Sequence, residues 1–169
     1  MNNFLFDNLQ IEVKVGLILT VAEKVFSEIS KDDERFPDGR EALDRCWLWV
    51  ESHVITGDEL YELIDNADFT GISEFAEEEE DLNIARIWSL LVDAVAYTSW
   101  EAYRNEKVKY LLQALESNTN NSITFFLNSA VETSFIKLEE IKRMETFIYD
   151  YWSTNTEIPT KKEDFINIF

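Results

Sequence analysis

An all-α chain is predicted, a helical bundle of about six to eight helices in one domain spanning 1–169. Three observations carry this expectation. Only four Gly and two Pro punctuate 169 residues, which favours long helices on short loops over a many-turned β protein. Apolar residues recur at three- and four-residue spacing along most of the chain, and no convincing two-residue alternation or fixed repeat is found. Finally, a hydrophobic content of 46%, with five Trp, twelve Phe and six Tyr, supplies a sizeable core and sets disorder aside despite the high charge.

The elements follow in order. Leu9, Val13, Leu17, Val21, Val25 and Ile29 define a first helix over about 8–30, with Asp7 or Asn8 as the expected N-cap. Residues 31–36 break the pattern. Pro37 and Asp38 read as a turn into a second helix of about 39–53, with Leu43, Cys46, Trp47 and Val50 on one side and Trp49 nearly opposite Trp47. Thr56-Gly57-Asp58-Glu59 matches a capping box and opens a short helix to about Asp65. Asn66 to Gly71 is loop-like and leads to one more helical turn before Glu77. The five carboxylates Glu77 to Asp81 stand at the start of the next helix, where the positive end of the dipole tolerates them best. That helix, about 80–105, is the strongest core candidate, through Ile84, Ile87, Trp88, Leu91, Val92 and Val95. A short helix is expected over 107–115, a clear loop over 116–122, helix from Ile123 to Trp152 with a break near Thr133-Ser134, and a last turn or two after Pro159.

Charge is the most informative feature. The formal total of −19 is distributed as −4 over residues 1–45, −12 over 46–85 and −3 over 86–169, and no Lys or Arg occurs from 46 to 85. Such a block is either a solvated face or a docking surface for something basic. A phosphate backbone would be repelled by it, so nucleic-acid binding is disfavoured. The apolar run Val15 to Ala22 lacks a basic leader and is far short of the ~20 residues of a membrane span. One cysteine excludes an internal disulfide and suits a reducing compartment, so the expected location is the cytoplasm.

Chemistry is sparse. Cys46 and His53, one of each, cannot build a zinc site or a Cys/His nucleophile, and Cys46 reads as a small buried hydrophobe. His53, at the end of a predicted helix, is expected to meet terminal carbonyls. Gly16, Gly39, Gly57 and Gly71 are isolated, so no phosphate-cradling loop can be written, and Asp65 to Gly71 fails the calcium-loop spacing. No catalytic residue, cofactor or metal is assigned. Asp93, among Leu91, Val92, Ala94 and Val95, is the one carboxylate whose apolar neighbours could raise its pKa, and a buried hydrogen-bonded network is its expected setting.

Ala42-Leu43-Asp44-Arg45-Cys46-Trp47-Leu48-Trp49, Leu60-Tyr61, Asp68-Phe69-Thr70-Gly71-Ile72, Asp93-Ala94-Val95-Ala96-Tyr97 and Glu101-Ala102-Tyr103 together resemble the sixth immunity-protein family of bacterial polymorphic toxin systems. The resemblance covers about residues 38–105. It implies a non-enzymatic antidote that is made beside a secreted toxin and protects the producer by binding the toxin domain. Toxins that attack nucleic acid are commonly basic around the substrate groove, which an acidic helical surface can occlude. The partner-binding residues expected on this basis are Asp58, Glu59, Tyr61, Glu62, Asp65, Asp68, Phe69, Glu74, Glu77, Glu78, Glu79, Glu80 and Asp81, with Phe75 as a further aromatic contact. Trp47, Trp88, Asp93 and Tyr97 are expected to be scaffold. An acidic mimic of nucleic acid, a general protein-binding helical adaptor, and an enzyme using Asp93 are the competing readings. Oligomeric state is not indicated.

Overall fold

The computed structural model describes residues 6, 9–119, 121–152 and 161–167, and among these the chain is all-helical. Eight α-helices succeed one another: α1 (Ile11–Phe26), α2 (Phe36–Ser52), α3 (Gly57–Tyr61), α4 (Ile72–Glu78), α5 (Leu82–Asn105), α6 (Ser122–Glu132), α7 (Leu138–Trp152) and α8 (Lys162–Ile166), with a 3₁₀ turn at Gln113–Leu115.

Two helices organise the rest. Every residue of α1 from Val13 to Ala22 is buried, Lys14 and Thr20 included. A helix apolar on all sides is one enclosed on all sides. It packs against α2, α5, α6, α7 and α8. Gly16 permits a close approach of α8, since a Cβ there would stand 2.2 Å from the Phe165 ring. The 24-residue α5 packs against α1, α2, α3, α4 and α6 and buries Ile87, Trp88, Leu91, Val95, Tyr97 and Tyr103.

A polar clasp ties α1, α2 and α8 together. Arg40 donates both terminal nitrogens to the Glu23 carboxylate, each at 2.7 Å, and the Trp47 indole N–H donates to the same group at 3.0 Å. Lys162 of α8 reaches Glu23 as well. Burial alone would raise the Glu23 pKa, but the bonds from Arg40 and Lys162 outweigh it and hold the carboxyl below its ordinary value.

Trp49 and Trp47, on nearly opposite sides of α2, are both buried, because α2 is packed on two sides, by α1 and α5. Several sequence expectations are corrected here. The second helix begins at Phe36, ahead of Pro37 and Asp38. The helix expected over 107–115 is only the 3₁₀ turn, since Lys107 adopts φ 57° just beyond α5 and the chain leaves helical geometry there. His53 occupies the left-handed position that closes α2, its N–H bonding the Trp49 carbonyl at 2.8 Å. Its ring does not seek terminal carbonyls, stacking instead beside Trp49 with Nε2 3.2 Å from Glu12. α1 starts after Gln10, and the expected caps Asp7 and Asn8 lie outside the described residues, as does Pro159. The break near Thr133 is present, with Ser134 at φ 66° between α6 and α7. Cys46 is buried against the Thr98 side chain, and burial pushes its thiol up to about 12, so it is a core residue and not a nucleophile.

Candidate docking surface

The acidic segment folds as α3, the 62–71 loop, α4 and the link into α5, all laid on one side of α5. Local chemistry explains each piece. The Thr56 hydroxyl accepts the Glu59 N–H at 3.2 Å while Glu59 accepts the Thr56 N–H at 2.9 Å, completing the expected capping box. Those bonds from Thr56 keep the Glu59 carboxyl below its usual range. Three bonds anchor α3 to α5: Ser99 donates to the Gly57 carbonyl at 2.8 Å, Gly57 N–H donates to Glu106 at 2.7 Å, and the Tyr103 hydroxyl donates to Asp58. Burial, reinforced by Asp58, raises the Tyr103 pKa.

The 62–71 loop is a compact knot. Asn66 Oδ1 accepts from Asp68 N–H at 3.0 Å and from Thr70 N–H at 3.3 Å, while Ser73 donates to the Ile64 carbonyl at 2.7 Å. Gly71 makes the crossing feasible, because any Cβ there would lie 2.0 Å from that carbonyl oxygen. The knot throws Phe69 outward: its ring is 76% exposed and its backbone sits at φ 55°, a conformation unfavourable for a bulky side chain.

α4 is held by Phe75, whose ring meets Trp88 edge-on at 5.1 Å, so Phe75 serves the core. Glu79 bonds Arg35 at 2.8 Å and accepts the Asp81 N–H at 2.9 Å. The Asp81 N–H first, and Arg35 with it, hold the Glu79 carboxyl below its ordinary value. Asp81 caps α5, accepting from Asn83 N–H at 2.8 Å.

The thirteen residues singled out in the sequence therefore divide. Asp58, Glu59, Glu79 and Asp81 are engaged within the fold. Glu62, Asp65, Asp68, Glu77, Glu78 and Glu80 are exposed, Glu74 is half-buried, and among the described residues none of these seven side chains makes a hydrogen bond or ion pair. Tyr61 is half-buried at the edge of α3, and Phe69 projects beyond it.

Beside this face lies a groove of about 290 Å³ between α3, α5, the 114–118 loop and α6, lined by Tyr61, Ile64, Val92, Asp93, Ala96, Tyr97, Ala114, Phe125 and Phe126 among others. Asp93 was expected inside a buried network. It is instead exposed on the groove wall with no hydrogen-bond partner among the described residues, and the apolar surroundings push its carboxyl up to about 6. The apolar neighbours flagged in the sequence were the right signal for the shift. The loop that closes the groove, brought in from residues 114–118, had none. Tyr97 and Glu101 form the network that Asp93 does not, Tyr97 donating to Glu101 at 3.0 Å and Arg104 pairing with it at 3.0 Å.

Among the described residues no cluster of His, Cys, Asp and Glu can hold a metal, and no helix is long and apolar enough to cross a membrane. Fold and surface thus define an all-helical protein whose accessible chemistry is uncompensated negative charge and a few exposed aromatics. A family model described as immunity protein Imm6 matches residues 13–133, from α1 through α6 and the whole acidic segment. The chain belongs to the Imm6 family and is an immunity protein directed against a toxin. Comparison with curated proteins finds no match, and comparison with solved structures finds none either.

Proposed function

We propose that this immunity protein neutralises its toxin in the cytoplasm as a single-domain antidote, docking through the face formed by α3, the 62–71 loop and α4 onto a basic, nuclease-like toxin domain. The observation that carries this is the set of seven carboxylates between Glu62 and Glu80 left without a counter-charge among the described residues. Repulsion among them costs stability in the free protein. A cationic partner relieves it and is steered in by the same field, toward association rates of about 10⁸ M⁻¹s⁻¹ at low salt. Phe69 supplies the desolvated contact that charge alone does not, since aromatic anchors carry much of the energy in such interfaces.

The test is co-expression with the toxin domain encoded beside this chain, followed by binding kinetics on Glu62, Glu77, Glu78 and Glu80 all changed to Gln. Cell survival with the native chain, a roughly tenfold or greater slowing of association by the variant at low salt, and convergence of the two at high salt are expected. Unchanged association at low salt would remove the acidic face from the interface.

A further inference from the structure

The groove beside α3 has one charged wall residue, Asp93, and four aromatic ones, Tyr61, Tyr97, Phe125 and Phe126. At about 290 Å³ it stands at the lower edge of the ~300–1,000 Å³ usual for small-molecule and cofactor sites. It has the scale of one long side chain. Phe125 stands 71% exposed at its lip, and Tyr61 belongs to α3, so the groove is continuous with the acidic face. Asp65 lies close enough for its charge to act on the Tyr61 hydroxyl.

Resting on the docking reading above, we propose that this groove is a socket for one arginine side chain of the toxin, its guanidinium paired with the Asp93 carboxylate and its flat head and methylenes laid on Tyr61 and Phe125. Charge complementarity selects a cation, because Asp93 has no cationic partner among the described residues and no other charged side chain lines the groove. The aromatic walls select arginine over lysine, because a planar, weakly hydrated guanidinium stacks on rings while a compact ammonium keeps its water. The carboxylate is also poised for such a partner, since its apolar setting pushes it up to about 6 in the free protein. A group held at that cost gains most when a cation arrives in the same low-polarity space.

Two variants of the full chain test this, Asp93→Asn and Ala114→Trp. Both positions are exposed, and circular dichroism and urea unfolding check that each variant is folded before binding is read. One deletes the charge and the other plugs the groove. Against the toxin domain each should weaken affinity about 30-fold or more, chiefly by faster dissociation, whereas neutralising the acidic face slows association. Native-like dissociation of both variants, with the native chain still binding, overturns the socket and leaves the docking reading standing. If the native chain itself fails to bind the toxin domain, the docking reading falls, and N-acetylarginine amide becomes the probe. In that case amide NMR shifts at Ala96, Ser117 and Ser129 that are lost in Asp93→Asn support the socket. Absent shifts, or equal shifts from N-acetyllysine amide, overturn it.

Discussion

Glu23 and Asp44 offer a sharp experiment, because both approach the same two cations in different surroundings. Arg40 bonds Glu23 at 2.7 Å and Asp44 at 2.8 Å, and Lys162 reaches both. The Glu23 side chain is only 17% exposed and that of Asp44 is 59%. Removing one partner of a buried ion pair costs about 3–5 kcal/mol because it strands the other charge. Here the cations keep roughly a quarter of their surface in water, and a glutamine can still accept from Trp47. Glu23→Gln is therefore expected to cost ~2–3 kcal/mol, lowering the melting temperature by about 5–10 °C in a chain of this size. Asp44→Asn removes an exposed i,i+4 pair and should cost less than about 0.5 kcal/mol. Urea unfolding of both variants at pH 7 measures the contrast. Equal losses at the two positions would refute the claim that burial, and not the number of charged contacts, sets the strength of this clasp.

The same carboxylate makes a prediction in pH. Glu23 has a folded-state pKa below its unfolded value, so the folded chain binds fewer protons through that group. Its contribution is complete above the unfolded pKa of about 4.3 and is lost as pH falls through the lower folded value. The stability gap between native chain and Glu23→Gln should hold from neutral pH to about 5 and narrow as pH falls through the lowered folded-state pKa. A gap that did not narrow on acidification would mean that packing, not charge, is what Glu23 supplies. Neither the α3 nor the α4 surface is touched by this change, so toxin binding should follow only the folded fraction.

Phe69 and Cys46 give two more tests. Phe69→Asn places a residue tolerant of φ 55° in the loop, so stability should hold or rise by ~0.5–1 kcal/mol. Affinity for the toxin domain should nevertheless fall about tenfold or more, and unchanged affinity would exclude Phe69 as an anchor. Cys46, buried and with its thiol pushed up to about 12, should resist a thiol reagent at pH 8 in the native chain and react only as denaturant opens the core. Rapid labelling without denaturant would contradict the packing of α2 against α5.

Local rules carried the sequence reading furthest where one short segment holds the whole determinant. The Thr56 and Glu59 capping box and the stop near Thr133 are each decided within four residues, and each is present, whereas the Glu77 to Asp81 run does not stand wholly at the start of α5, since Glu77 and Glu78 end α4. Period reading fared less well on α1. Its continuous burial from Val13 to Ala22 depends on five other helices arriving around it, and nothing local distinguishes a half-buried stripe from a fully enclosed one. Trp49, nearly opposite Trp47 on α2, is buried as well because α2 faces core on two sides.

The acidic segment shows the limit of counting charge. Twelve carboxylates between 46 and 85 are visible in the sequence, but which of them remain free depends on residues far along the chain. Tyr103 engages Asp58 across 45 positions, and Arg35 engages Glu79 across 44. Both partners lie outside the segment, as does Arg45, 3.9 Å from Glu59. They meet its two flanks, α3 and the link to α5, and among the described residues the stretch from Glu62 to Glu78 is left uncompensated. The fold thus places its counter-charges, Arg35 at the start of α2 and Arg45 within it, at the flanks of the segment and withholds them from the middle. That middle is also where the Asn66 knot presents Phe69. Concentrated negative charge around one exposed aromatic is an arrangement that solubility alone does not require, because dispersed carboxylates would serve that end without holding an aromatic residue at positive φ.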